Sequence, residues 1–206
     1  MIRYKAILLV GPTGSGKTPL GDICEENGLW GKRCAHFDFG ASLRTAAETG
    51  IKPPLIMDED MEVIYRALRS GALLENETFY IAKNILLSFA QEKKLGENDL
   101  LLLNGLPRHT GQAEDVDKIV EIKAVLHLNC STEVVSERIK LNTGGDRAER
   151  IDDSPEEIER KLKIFEDRTI PLLDHYRRNM VRIEGFEVSV DTMPEDIYEW
   201  FNVKMY

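Results

Sequence analysis

The stretch AILLVGPTGSGKTPLGD, residues 6–22, decides the reading of this chain. Ala6–Val10 is a short, wholly apolar run containing Ile and Val, the pattern of a strand buried on both faces, as in a parallel sheet. Gly11, Pro12, Thr13, Gly14, Ser15, Gly16, Lys17 and Thr18 then match G-x-x-x-x-G-K-[ST] at every fixed position. Glycines let the backbone turn its N–H groups inward around phosphate oxygens. A helix starting at the loop points its positive end at the same anion. On this reading the eight residues hold a nucleotide's phosphates, Lys17 reaches the β- and γ-phosphates, and the Thr18 hydroxyl ligates Mg²⁺. The plain alternative is a glycine-rich turn carrying a surface lysine. Pro19 falls in the first helical turn, where its missing N–H costs little.

The rest of the composition narrows the class. A chain of 206 residues suits one domain with small inserts, and its 42% hydrophobic content is ordinary for a globular protein. The net charge of −9 argues against a general nucleic-acid surface. Anionic ligands would depend on local arginines, since the overall field disfavours them. No apolar run approaches the ~20 residues that span a bilayer. The apolar segment near the start lacks a small-residue cleavage site, so it is not read as a signal peptide. The expectation is a cytoplasmic monomer without membrane or nucleic-acid partners. Cys24, Cys34 and Cys130 are odd in number and form no CxxC pair, so free thiols are expected in place of disulfides or structural zinc.

Apolar runs recur at Leu100–Leu103 and Ala124–Leu128, with weaker candidates at Ala35–Phe39 and Val181–Ile183. Helical patterns lie between them. Met61, Ile64, Tyr65 and Leu68 share one face, and Ile81, Ile85, Leu86 and Phe89 another. Ser154-Pro155-Glu156-Glu157 reads as a helix start, and Pro171 should kink or end that helix. Met193–Phe201 reads as a closing helix. Strands alternating with helices imply βαβ units and a parallel sheet. There is no internal repeat. The polar, glycine-bearing segment LNTGGDRAERIDD, residues 141–153, reads as an exposed loop.

Two further stretches bear on chemistry. HFDFGASLRTAAETG, residues 36–50, follows the second strand and puts Arg44 just inside a helix. LLLNGLPRHTGQ, residues 101–112, follows the third and puts Arg108 in a turn with Gln112 four residues on. Arg138, Arg147 and Arg150 flank or occupy the polar loop. In the P-loop, in G-x-P-R of Gly105–Arg108 with Gln112, in R-x-D-D of Arg150–Asp153 and in T-x-P-L of Thr169–Leu172, the chain resembles the nucleoside monophosphate kinases, the adenylate kinase family. The resemblance runs from the P-loop to about Tyr176.

That resemblance implies a P-loop α/β fold: a five-stranded parallel sheet flanked by helices, with a helical acceptor insert and a short lid. The core would be residues 1–38, 96–140 and 154–206, the insert 39–95 and the lid 141–153. It implies transfer of the γ-phosphoryl of ATP, with Mg²⁺, to a nucleoside monophosphate. Phe39, Gly40, Arg44, Arg108 and Gln112 would bind the acceptor, Gln112 at the base. Arg138, Arg147 and Arg150 would close over the transferring group, and Lys161 stands where the family usually has another arginine. Transfer of this kind is mainly positioning and charge neutralisation, which is what several arginines provide.

Departures cluster at the metal side. Asn104 stands where the family usually has an aspartate that holds hydrated Mg²⁺, and Phe39 and Ala41 replace the threonine and aspartate of T-G-D. Asp38, at the end of the second strand, is then a candidate for the missing charge, with Thr18 and, through water, Asn104. The alternative for Asp38 is a general base acting on a hydroxyl acceptor, as in small-metabolite kinases, or a simple strand-end cap. A regulatory nucleotide-binding module without turnover is the third reading.

Overall fold

Alternate residues of a strand face opposite ways, and in the strand Tyr4–Val10 (β1) both sets are apolar from Ala6 onward. Ala6, Leu8 and Val10 enter one core and Ile7 and Leu9 another. The computed structural model describes residues 3–50, 56–70, 72–146 and 154–204, and in it β1 is the central strand of five. The others are β2 (Cys34–Asp38), β3 (Leu100–Asn104), β4 (Val120–Asn129) and β5 (Arg182–Glu187). Their order is β2-β3-β1-β4-β5, and every neighbouring pair is parallel. This is the doubly covered sheet that the apolar runs imply.

One face carries α1 (Lys17–Asn27) and α9 (Pro194–Lys204), through Leu20, Cys24, Ile197 and Phe201. The other carries α2 (Phe39–Thr49), α3 (Asp58–Ser70), α4 (Phe79–Glu92) and α5 (Thr110–Val116). Between residues 39 and 95 the regular structure described is thus all helical, with a short 3₁₀ turn at Asn76–Thr78. After β4 come α6 (Thr132–Leu141), α7 (Pro155–Ile164) and α8 (Pro171–Arg178).

Two of the boundaries that differ from the sequence reading bear on the site. β2 ends at Asp38, and Phe39 already begins α2, because the Asp38 carboxylate accepts the Ala41 N–H at 2.8 Å and caps the helix. The helix opened by Ser154 has its full capping box, but it widens into a π turn at Phe165–Thr169 before Pro171 starts α8. A proline ring crowds the carbonyl four residues earlier, here Asp167, and a wider turn relieves it. Of the polar loop, residues 147–153 lie outside the described residues, and Asn142 at φ 51° closes α6. The three cysteines are free thiols. Among the described residues no helix is long and apolar enough to cross a membrane.

Candidate active site

Parallel register brings three strand ends to one edge of the sheet. Asn104 pairs with Leu9 on one side and with Asp38 on the other, so the loop after β1 and both side chains share that edge. Such carboxyl ends form the ligand crevice of open α/β sheets. The loop turns through Gly14 at φ 77° and Gly16 at φ 96°, conformations that a side chain would strain. Gly16 is the N-cap of α1, so the loop's N–H groups and the helix N-terminus face the same space. Lys17 Nζ lies 2.7 Å from the Gly11 carbonyl and 2.6 Å from that of Pro12, inside the curl of its own loop.

Beside it, Thr18, Asp38 and Asn104 form one hydrogen-bonded cluster. The Thr18 hydroxyl donates to Asp38 Oδ2 at 2.7 Å. Asn104 Nδ2 reaches the same oxygen at 2.9 Å and Thr18 Oγ1 at 3.0 Å. Asp38 Oδ1 takes the Ala41 N–H. Burial pushes the Asp38 pKa up, but the Ala41 N–H, the Thr18 hydroxyl and the charges of His36 and Arg44 outweigh it, so the carboxyl lies below its usual range. Asp38 is therefore both the cap of α2 and a fixed anion on the crevice wall. Asn104 turns its amide nitrogen, not its oxygen, to the cluster, because a carboxylate only accepts. It holds Asp38 and offers no lone pair there, unlike the water-mediated ligand suggested by its place in the sequence. A hydroxyl and a carboxylate side by side are the hard oxygen donors that Mg²⁺ takes when phosphates and waters complete its shell. Among the described residues no group of three or more His, Cys, Asp or Glu forms a metal site, and a phosphate-bound Mg²⁺ needs only one or two protein oxygens.

The cleft at this edge has a volume of about 220 Å³. The phosphate loop lines one end, and Phe39, Gly40, Arg44, Arg108 and Gln112 line the other. The expected acceptor residues are thus brought together, facing Lys17 and Thr18. Among the described residues the Arg108 guanidinium has neither a hydrogen-bond nor an ion-pair partner. Burial pulls its pKa down and the Asp38 charge opposes that. An unpaired guanidinium in a cleft is a strong, geometrically defined anion receptor.

Other expected residues fall elsewhere. Arg138 lies beneath the phosphate loop, not over a transferring group: it is 2% exposed. Its Nε donates to the Gly14 carbonyl at 3.0 Å, and its Nη1 to those of Ser189 at 2.8 Å and Thr192 at 2.7 Å. It joins the loop to the segment before α9. Gln112 is 1% exposed, and both ends of its amide meet backbone: Oε1 accepts the Arg108 N–H at 2.8 Å, and Nε2 donates to the Leu74 carbonyl at 2.7 Å. Arg147 and Arg150 lie outside the described residues. Lys161 does line the cleft. The sequence reading assigned no task to Thr169, whose hydroxyl donates to the Arg108 carbonyl at 2.8 Å. Its place in T-x-P-L marked the residue, but nothing local marks its partner.

No family model matches the chain. Curated relatives over most of its length are adenylate kinases. That of Rhodopirellula baltica is 32% identical across 83% of this chain and 81% of its own. That of Xanthomonas campestris pv. campestris is 31% identical across 93% and 96%. That of Haloarcula marismortui is 26% identical across 92% and 93%.

Proposed function

The chain belongs to the adenylate kinase family, and from that membership we propose that it moves the γ-phosphoryl of ATP to a nucleoside monophosphate. A nucleotide kinase is the activity that membership supports, and the acceptor is our inference. The observation that carries it is the Arg108 guanidinium, without a hydrogen-bond or ion-pair partner among the described residues, together with Arg44, across the cleft from the phosphate loop. Two cations there serve an acceptor that is itself an anion, and a monophosphate is one.

In this reading residues 11–18 cradle the ATP phosphates, and Lys17 leaves its carbonyl partners for the β- and γ-oxygens. Arg44 and Arg108 hold the acceptor phosphate, so that its oxygen lies in line with the γ-phosphorus. Arg138 adds fixed positive charge beneath the loop. Arg147, Arg150 and Lys161 supply charge from the lid side, and closure of residues 141–153 over the core, with the insert at 39–95, excludes water. Mg²⁺, when bound, would supply positive charge against the ATP phosphates, and Thr18 and Asp38 are the residues that would hold it. Free thiols at Cys24 and Cys34, whose pKa burial pushes up to about 12, suit a reducing cytoplasm.

The geometry speaks against Asp38 as base for a hydroxyl acceptor. Both its oxygens already accept hydrogen bonds and its pKa is lowered, which makes it a poor proton acceptor. Coupled ADP release with AMP, CMP, UMP, GMP, dTMP and common hydroxyl metabolites tests the proposal. Turnover is expected with one or more monophosphates; turnover with a hydroxyl compound alone would refute it.

A further inference from the structure

Leu74, Arg108 and Thr169 line the acceptor end of the cleft from three separate segments: the loop between α3 and α4, the turn between β3 and α5, and the π turn after α7. The chain neighbours of these three, Glu75, His109 and Arg168, meet one another outside the cleft. Arg168 grips Glu75 as a fork: its Nη2 donates to Oε2 at 2.9 Å and to Oε1 at 3.2 Å, and its Nη1 donates to Oε1 at 3.2 Å. The two residues are 93 apart in the chain. His109 Nε2 stands 3.7 Å from Glu75 Oε2 and 3.3 Å from the Leu74 carbonyl. Its Nδ1 caps α5 by accepting a backbone N–H, so the neutral ring carries its hydrogen on Nε2, facing that carbonyl and carboxylate.

An exposed ion pair usually contributes little, because water screens it and two long side chains lose freedom. Here the geometry is the bidentate fork in which guanidinium and carboxylate match. The hydrogen bonds from Arg168, and its charge, hold the Glu75 carboxyl below its usual range. The loop that Glu75 ends also has little else to fix it. Of Ala72, Leu73, Leu74 and Glu75, only Leu74 is buried. One buried side chain anchors a loop at a point, and a second tie fixes its orientation. The pair is too exposed to decide whether the chain folds, but it can decide where this wall of the cleft stands.

We infer that Glu75 and Arg168 form an electrostatic latch that sets the acceptor end of the cleft, Glu75 being the positioning residue that holds the insert's loop against the segments carrying Arg108 and Thr169. Neither Glu75 nor Arg168 lines the cleft, so both act through their chain neighbours. This rests on the proposal that the acceptor is a nucleoside monophosphate. Opening the latch should weaken acceptor binding, leave ATP handling unchanged and matter less in salt, since the two side chains are 52% and 42% exposed.

The test compares wild type, Glu75→Gln, Arg168→Gln, their double variant and Arg168→Glu with AMP, GMP, CMP and UMP, recording kcat and KM for acceptor and ATP. Each single glutamine variant is expected to raise acceptor KM about two- to fivefold, the range open to a partly exposed ion pair. The double variant should be no worse than either single one, the coupling expected when both residues act through one contact. Arg168→Glu sets two carboxylates face to face and should raise acceptor KM roughly 10-fold, because repulsion adds an effect of similar size to the lost attraction. The KM for ATP should hold within about twofold, since that end of the cleft shares no contact with the latch. Raising KCl from ~0.01 M to ~1 M shortens the screening length from ~30 Å to ~3 Å and should narrow the gap between wild type and Arg168→Glu. Full additivity of the two glutamine variants, an equal rise of KM for ATP, or a gap that salt leaves as it was would overturn the inference. Hydrogen exchange in the ligand-free protein gives a reading independent of turnover. Arg168→Glu should speed exchange across residues 72–82 and leave the phosphate loop as in wild type; unchanged exchange across 72–82 refutes the latch. If wild type transfers to none of the four, the proposed acceptor fails while the exchange comparison still decides whether Glu75 and Arg168 hold the loop.

Discussion

Lys17 holds its ammonium against the neutral carbonyls of Gly11 and Pro12. Phosphate oxygens carry full charge and bind an ammonium more strongly than a carbonyl does. Lys17→Ala should therefore lower kcat by about 10²-fold or more, the usual cost of one donor aimed at developing charge. The melting curve should barely move, because the side chain belongs to the loop and not to a core. Wild-type turnover in a normally melting variant would remove Lys17 from the reaction. Asp38 and Asn104 form the second residue-scale test. Asp38→Asn keeps the cap of α2, since asparagine caps well, but sets two amides against one another and removes the anion beside Thr18. Adding Asn104→Asp reverses the donor and acceptor across the same 2.9 Å contact and restores a carboxylate to the cluster. The double variant should recover much of the Mg²⁺ dependence lost by Asp38→Asn, read as rate against Mg²⁺ concentration; no recovery would separate Asp38 from the metal. The pH dependence has a definite sign. A carboxyl with a lowered folded pKa stabilises fully above its ordinary value of 3.8 and loses that contribution as pH falls through the folded value. The difference in melting temperature between wild type and Asp38→Asn should thus persist at neutral pH and shrink in acid below 3.8.

At the scale of elements, α1 carries the phosphate loop and must keep its distance from β2. Gly21 of α1 lies against the buried His36 ring, and a Cβ there would stand 2.3 Å from His36 Nε2. The ring is also held through Nδ1 to Asp22 at 2.8 Å. Gly21→Ala should cost ~1–3 kcal/mol or more in overpacking, against the ~1 kcal/mol that alanine gains in helix propensity. A lower melting temperature is expected, and an unchanged one would mean that β2 yields easily. The helix α7 tests the opposite end of the scale. Its capping box joins Ser154 Oγ to the Glu157 N–H at 3.3 Å and Glu157 to the Ser154 N–H at 3.4 Å, both exposed. Ser154→Ala should cost ~1 kcal/mol, or roughly 2–4 °C for a chain of this size. These boundaries were legible because capping and proline effects act within one turn. The π turn was not, because it answers both to Pro171 and to the Arg108 carbonyl that Thr169 reaches across the fold.

The whole molecule is organised so that two anion-binding ends face one cleft. A bisubstrate analogue joining adenosine to a nucleoside monophosphate through a phosphate chain should occupy both. At a hundred times its Kd it should stabilise the fold by ~2.7 kcal/mol, seen as a raised melting temperature. Arg44→Ala and Arg108→Ala each remove a charge-assisted contact of ~1.5–3 kcal/mol. Each should therefore shrink the shift given by the analogue and leave that given by ATP alone intact. Loss of the ATP shift in either variant would reassign that arginine to the donor end.

The sequence by itself determined the parallel sheet, the phosphate loop and the turn that presents Arg108. Each rests on apolar runs, glycines and prolines whose effect spans a few residues. It also placed Thr18, Asp38 and Asn104 at strand ends. Only the tertiary structure decided what those ends do, because register sets Asp38 beside Asn104 across 66 residues of chain. The same holds for Arg138, which the family resemblance places over the transferring group. Its partners lie 124 residues back at Gly14 and 54 residues on at Thr192, and their carbonyls, turned inward by packing, make it a buried strut. Gln112 meets Leu74 across 38 residues, and Thr169 meets Arg108 across 61. Local pattern reports which way a side chain faces; which group it meets depends on how layers far apart in the chain come to pack.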